Sequence, residues 1–489
     1  MAAQKGAGAN AGVKGKTGGG GARDGAFDVL AQVEKGAYAN LALDHWLEGY
    51  GRSLSGEDRA LLTELVLGVV KRRLTLDWMI DRLVQKPQRL ENGPRILLRL
   101  GLYQLSWLDR IPERAAVYET VEIARKRYHS GVASLINGVL RSWIREKDHM
   151  AWPDEEKEPV SFLSVCYSFP PWMAERWLNR YGMEHTKAYC GYMNTPPILW
   201  LRTNTLRVTP EDLASRLSAQ GCRTGYGRYS PEAIALLEGP GVRRLESFHE
   251  GLFTVQDESS MLAAHGLSPL PGQCVLDTCA APGGKTTHLA QLMKDQGRIT
   301  AWDVHAHRIK LLRETQQRLG IRCISAEVQD AAGAFGDRGT EPVVGEAPGA
   351  LPGGIHRRQS FDRILVDAPC SGLGVLHRRA DARWNRQPGD LSALADVQER
   401  ILRNALSLLA PDGRLLYCTC TAEPEENRCL VEKVLAAYPG FRKGKLSLPV
   451  LREENRSILP DPSSDWDMQF LPFVHGLDGF YMAMIERAN

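Results

Sequence analysis

At 489 residues the chain is long enough for about three domains of ordinary size. Its 43% apolar and 24% charged residues match globular usage and exclude a disordered, collagen-like or coiled-coil chain. Sixty-one Lys and Arg against 58 Asp and Glu leave a net charge of +3, too balanced to coat nucleic acid by bulk electrostatics, so any such contact must come from local patches. No run is long and apolar enough to span a membrane, and no secretory apolar core follows Met1, so a cytosolic, membrane-free protein is expected. The ten cysteines begin at Cys166 and include no C-x-x-C pair, which argues against both a disulfide scaffold and a zinc knuckle; no metal is expected.

Residues 1–21 hold eight glycines and no acid, and are expected to be a flexible tail. Over 22–148 apolar residues recur at helical spacing, as in Phe27, Leu30 and Val33 or Leu61, Leu65 and Val69, predicting an all-α domain. Ser55 before Glu57 and Asp58, Pro94, and Pro112 with Glu113 mark helix starts. Two basic triplets, Lys71-Arg72-Arg73 and Arg125-Lys126-Arg127, read either as solvated helix faces or as phosphate contacts. The acidic, Pro-containing stretch 149–160 reads as a linker, and 161–250 as a small α+β domain.

From 251 to 489 short apolar runs alternate with helices: Cys274 to Asp277, Arg298 to Trp302, Cys323 to Val328, Arg363 to Val366 and Gly413 to Tyr417. That rhythm predicts a doubly wound α/β domain with a mostly parallel sheet. The Gly- and Pro-rich stretch 331–360 reads as a mobile insertion.

The first of these strands runs into Cys279, Ala280, Ala281, Pro282, Gly283, Gly284 and Lys285. A glycine pair between strand and helix lets backbone approach a ligand at the carboxyl edge of the sheet. A Walker A loop would need Gly where Cys279 stands, and the three spaced glycines of a dinucleotide fingerprint are absent. Asp303, 26 residues after Asp277, is suited to ribose hydroxyls, and Asp330 closes the next strand; alone, each acid reads equally as a cap or loop solvator. The fourth strand delivers Asp367-Ala368-Pro369-Cys370-Ser371-Gly372, and the fifth Thr419-Cys420-Thr421, before Pro424-Glu425-Glu426-Asn427. Parallel strand ends meet at one crevice, so a cysteine from each can face one ligand, although any single cysteine is most simply inert packing.

These runs resemble the motifs of the S-adenosylmethionine-dependent RNA cytosine carbon-5 methyltransferases, the nucleolar-protein/Sun family. Arg202-Thr203-Asn204-Thr205, Val255 to Ser259 and Gly476 to Tyr481 add to the likeness. The helical domain resembles the NusB antitermination factor, a fusion similar to the bacterial branch that methylates one cytosine of small-subunit (16S) ribosomal RNA. The resemblance implies a Rossmann-like catalytic domain that uses S-adenosyl-L-methionine, with Cys420 as nucleophile and Cys370 assisting product release. It further implies Asp367 at the protonated ring nitrogen and at the cofactor's edge, with Lys285 as electrostatic support. Cys279 to Lys285 would cradle the methionine end, Asp303 the ribose and Asp330 the adenine amine. Arg378 and Arg379 either guide the RNA strand or form a charged surface loop. Cys418 departs from the family's usual small residue, adding a thiol two positions before the nucleophile. The expected partner is a loop or bulge cytosine of small-subunit ribosomal RNA, met by a monomer. Transfer RNA as substrate, an exocyclic-amine methyltransferase and a non-catalytic RNA-binding factor remain the alternatives.

Overall fold

The computed structural model describes residues 21–333, 360–448 and 464–488. Most of the expected tail at 1–21 and of the expected insertion at 331–360 lies outside the described residues. The chain divides into two compact units, one through Leu178 and the other from Asn179.

The first unit is helical: α1 Ala22–Val33, α2 Ala39–Gly49, α3 Gly56–Lys71, α4 Arg73–Leu83, α5 Asn92–Trp107, α6 Glu113–Arg127, α7 Ser130–Glu146 and α8 Pro159–Tyr167. The start signals work as chemistry predicts. The Ser55 hydroxyl accepts the Asp58 amide at 3.0 Å, satisfying one of the amides that α3 leaves open at its start. Pro112 stands immediately before α6, where its missing N–H costs nothing. α5 is buried along most of its length, and Arg99 within it reaches Asp77 at 2.8 Å and Glu34 at 2.6 Å, so the one guanidinium carries its own counter-charges into the core.

This unit runs past the expected boundary at 148. The Thr75 hydroxyl donates to the Val165 carbonyl at 2.6 Å, and Trp152 stacks on Trp78 with ring centroids 4.5 Å apart. Stacking and a buried hydrogen bond thus hold to α4 both the stretch 149–160, read from the sequence as a linker, and the first residues of 161–250, read as a small α+β domain. A further helix, α9 Pro171–Asn194, is broken at Gly182, whose φ of +75° suits glycine.

The second unit carries two sheets. The smaller is antiparallel, order β2-β3-β1-β4, from β1 Leu199–Thr203, β2 Arg223–Tyr226, β3 Ala233–Glu238 and β4 Phe253–Val255, with α10 Pro210–Ala219 against it. β4 falls beyond the expected boundary at 250, because its pairing with β1 places it in this sheet. The larger sheet contains β5 Cys274–Asp277, β6 Arg298–Asp303, β7 Ile324–Val328, β8 Phe361–Asp367, β9 Leu409–Thr419, β10 Phe441–Lys443, β11 Asp467–Phe470 and β12 Phe480–Arg487. Its order is β10-β12-β9-β8-β5-β6-β7, parallel from β9 to β7, with β12 antiparallel beside β9 and β11 pairing with β12. The C-terminal antiparallel strands are absent from the sequence expectation.

The central strands β5, β8 and the second half of β9 are largely buried on both faces, which is why they read as continuous apolar runs. Val275, Leu365 and Leu416 enter one core layer while Leu276, Ile364 and Leu415 enter the other. Helices Gly284–Leu292 and Ala306–Leu319 contribute to the first layer, and Pro388–Ser407 and Arg428–Ala437 to the second. No helix of the described residues is long and apolar enough to cross a membrane.

Candidate active site

Five parallel strands end at one edge, and every loop singled out in the sequence leaves from it. β5 ends at Asp277 in register with Ala301 of β6 and Leu365 of β8, while Asp367 pairs with Cys418 of β9. The Cys279–Gly284 turn follows. Ala280 donates its amide to the Trp302 carbonyl at 2.8 Å, and Gly283 takes a φ of +105° at the start of the next helix. A Cβ on Gly283 would also stand 3.0 Å from Leu312 Cγ, so both backbone and space keep the turn bare. A bare turn opening a helix beside Asp303 at the end of β6 fits a nucleoside-bearing cofactor. Asp303 accepts the His305 amide at 2.9 Å and Asp330 the Ala332 amide at 2.9 Å, each shaping its own loop.

The cysteine loops converge. Cys370 Sγ lies 3.2 Å from Cys420 Sγ, both partly exposed. The two sulfurs are electrostatically unequal. The hydrogen bond from Cys370 holds the Cys420 thiol below its ordinary value despite burial, with Arg379 and Lys285 adding positive charge. The same bond, joined by burial and by the charge of Glu426, pushes Cys370 well up. The pair therefore favours a thiolate at Cys420 beside a thiol at Cys370. Cys418 is different: it sits inside β9, fully buried, 3.5 Å from Asp367 Oδ1, and burial followed by that carboxylate pushes it well above the thiol range. β9 ends at Thr419, so Cys420 lies just past the strand while Cys418 belongs to the core.

Lys285 Nζ meets Asp367 Oδ2 at 2.7 Å and lies 5.2 Å from the Phe480 ring centre. Against burial, the Asp367 charge holds this ammonium firmly protonated. Below it, Asp277 accepts the Thr286 hydroxyl at 2.8 Å and is pushed up to about 7 by burial. A second buried group stands near Lys285: Asp257, pushed up to about 7 by burial and then by Asp478.

Arg378 reaches Asp257 at 2.6 Å and Asp478 at 2.8 Å, and donates to the Ile198 carbonyl at 3.0 Å. Its guanidinium thus ties the two sheets of this unit together, while Arg379 beside it is exposed. In the helical unit Arg72 lies over the Trp107 ring at 5.3 Å and Arg73 pairs with Glu34 at 3.6 Å. Arg127 pairs with Asp28 at 2.7 Å and Asp24 at 3.1 Å, and Arg125 with Glu122; Lys126 is exposed and Lys71 half-buried.

One group among the described residues has the composition of a metal site: Glu232, His265 and His288. Both imidazole Nε2 atoms lie 2.8 Å from the same Glu232 oxygen, and the Ser230 hydroxyl donates to the other at 2.7 Å. Each Nε2–H can donate to the carboxylate, which together outweigh burial and hold it far below its usual range; burial keeps His288 neutral, down to about 3. The three side chains form a hydrogen-bonded cluster around the Glu232 carboxylate, in which His288 Nδ1 is buried without a partner.

Residues that the sequence did not mark as functional bind the two cysteine loops together. Glu426 accepts the Ser371 amide at 2.8 Å and the Gln398 side-chain amide at 2.9 Å, and Gln398 also donates to the Pro369 carbonyl at 2.9 Å. The Ser371 hydroxyl donates to that of Thr421 at 3.0 Å, and Gly374 donates its amide to the Cys420 carbonyl at 3.1 Å. Only the proximity of Glu426 to Cys420 in the chain hinted at this.

Three family models match along the chain: the NusB family over residues 21–145, a ferredoxin-like domain of RsmF/B-like methyltransferases over 169–243, and 16S rRNA methyltransferase RsmB/F over 264–486. A Bacillus subtilis protein named "Probable ribosomal RNA small subunit methyltransferase B" is 37% identical over 95% of this chain and 98% of its own. A Synechocystis protein of the same name is 35% identical over 96% of this chain and 99% of its own. The crystal structure of a methyltransferase homolog protein from Pyrococcus horikoshii, 29% identical, covers 67% of this chain and 98% of its own with a TM-score of 0.52. With the NusB, ferredoxin-like and methyltransferase models matched one after another along it, and relatives 37% and 35% identical over nearly its whole length, the chain belongs to the RsmB/F family of 16S ribosomal RNA methyltransferases.

Proposed function

We propose that the protein transfers a methyl group from S-adenosyl-L-methionine to carbon 5 of one cytosine in small-subunit ribosomal RNA, through a covalent bond between Cys420 and carbon 6. The observation that carries this reading is the pair of unequal sulfurs, Cys370 and Cys420, 3.2 Å apart at the edge that also holds the bare glycine turn. Carbon 5 of cytosine is too weak a nucleophile to take a methyl group unaided. Addition of the Cys420 thiolate at carbon 6 turns the ring into an enamine whose carbon 5 is reactive. Asp367, held by Lys285 at 2.7 Å at the end of β8, suits a cationic ring nitrogen during attack. After transfer, Cys370, acting at this stage as its thiolate, takes the carbon 5 proton; the electrons of that bond form the carbon 5 to carbon 6 double bond, and the carbon 6 to sulfur bond breaks to release Cys420 as a thiolate.

When bound, the cofactor supplies the electrophilic sulfonium methyl; Cys279 to Lys285 are placed to hold its methionine end, with Asp303 and Asp330 for its nucleoside. Arg125, Lys126, Arg127 and Arg379 are the exposed members of the basic groups and the first candidates for phosphate contact. Burial of the thiols requires the target base to leave its stack, favouring a loop or bulge cytosine. Bisulfite sequencing of ribosomal and transfer RNA from a deletion strain and its parent tests the reading. The expected result is loss of one small-subunit 5-methylcytosine; loss from transfer RNA alone keeps the chemistry and replaces the substrate, and no loss removes the assignment.

A further inference from the structure

The two cysteine loops leave different strands and are separated by 50 positions in the chain, yet their sulfurs are held in hydrogen-bond contact. Backbone pairing accounts for only part of that. Asp367 and Cys418 are in register, and Ala368 donates its amide to the Cys418 carbonyl at 2.9 Å, after which the ladder ends. Beyond it the Gly374 amide still reaches the Cys420 carbonyl at 3.1 Å, and the remaining ties are made by side chains, among which one carboxylate is central. Glu426 is buried, and a single one of its oxygens accepts both the Ser371 amide, next in the chain to Cys370, and the Gln398 amide. Gln398, from helix Pro388–Ser407, also holds the Pro369 carbonyl on the other side of Cys370. Cys370 is thus gripped from both flanking peptides by one linked pair of side chains. The Glu426 end of that pair lies six residues after Cys420, in the segment that leaves the nucleophile's own strand. Tyr417 of β9 fixes the segment in turn, its hydroxyl donating to the Glu426 carbonyl at 2.6 Å.

We propose that Glu426 is a positioning residue: by holding the Ser371 amide and Gln398, it keeps the Cys370 loop where Cys370 and Cys420 can serve one base, and so sets the rate of product release. The inference rests on the two-cysteine reading above. Attack needs the Cys420 thiolate, which Arg379 and Lys285 also favour when the Cys370 hydrogen bond is weakened, whereas proton removal at carbon 5 needs Cys370 itself in place, so a loosened loop slows the first half of the reaction less than the second. The negative charge of Glu426 also helps to keep Cys370 protonated while Cys420 ionises.

The test uses the full chain, tritiated S-adenosyl-L-methionine and transcribed small-subunit ribosomal RNA, following both methyl transfer in the first turnover and the protein–RNA adduct on a denaturing gel. Glu426→Ala is expected to form the adduct within about threefold of the wild-type rate and to resolve it roughly 10-fold or more slowly, with cofactor affinity retained and the melting temperature lowered. Glu426→Gln keeps the accepting oxygen and is expected to return release to near the wild-type rate. Gln398→Met, which removes the second grip without altering a charge, is expected to slow release in the same direction by a smaller factor, and decides the matter if Glu426→Ala does not fold. The proposal is overturned if the Ala and Met variants release product at the wild-type rate. It is also overturned if they lose adduct formation and cofactor binding together, or if Glu426→Gln is as slow as Glu426→Ala. Failure of the underlying reading is separate: it is registered by methylation in a Cys420→Ala chain whose Glu426 is intact.

Discussion

In the helical unit most acids and bases meet where water still reaches them, as in Arg73 with Glu34 at 3.6 Å or Arg127 with Asp28 at 2.7 Å. At the sheet edge of the second unit the same residue types are closed in: Lys285 against Asp367, Asp277 beneath them, Asp257 beside Asp478. The contrast shows where charge can do chemistry. An exposed pair gains little Coulomb energy, because water screens it. A buried group must shift its affinity or find a partner, and at the strand ends burial and the bond between them leave two neighbouring thiols electrostatically unequal.

The strongest test of this contrast strikes the shifted thiol. Cys420→Ala is expected to abolish methyl transfer and adduct formation while cofactor binding, measured by calorimetry, is kept; detectable transfer would move the nucleophile elsewhere. Cys370→Ala should still attack, and should accumulate a protein–RNA adduct that survives denaturant and reductant. A gel without that band would remove its role in release.

Asp277 sharpens the comparison through stability. Its folded pKa of about 7 lies above the model-peptide value near 4, so the native state binds more protons between those limits. Its contribution is fully present below pH 4 and is lost as pH rises through 7. Asp277→Asn should therefore raise the unfolding midpoint of the second unit at pH 8, by an amount on the order of a few kcal/mol, and by much less at pH 5. A difference independent of pH would show that Asp277 is ionised in the fold. The smallest expected effect belongs to the helical unit: Ser55→Ala deletes the cap on Asp58 and should cost about 1 kcal/mol in denaturant titration, with no dependence on pH between 6 and 8.

The parallel part of the large sheet was legible because strands buried on both faces leave unbroken apolar runs: Cys274 to Asp277 is recovered residue for residue, and Arg298 to Trp302 lacks only Asp303. Helix starts were legible where a side chain or proline does local work, as at Ser55 and Pro112. The strands at Phe441–Lys443, Asp467–Phe470 and Phe480–Arg487 were missed, since two are very short and the third follows a Gly-rich turn without a helical partner to set a rhythm. At the site, the cysteines and the glycine turn stood out because their types are uncommon at strand ends. Glu426 and Gln398 did not: their value lies in reaching backbone amides and carbonyls far away in the chain, and no local spacing encodes such a partner.

The placement of β12 has a consequence for biogenesis. This strand, Phe480–Arg487, covers the outer edge of β9 along six paired positions, from Arg414 with Glu486 to Thr419 with Tyr481. A ribosome delivers β9 well before β12, so during synthesis the strand that leads to Cys420 has a row of open amides and carbonyls on that side. An uncovered hydrophobic strand is the feature by which nascent chains pair wrongly with one another, which makes the interval between the emergence of β9 and β12 the period in which this protein most needs a chaperone.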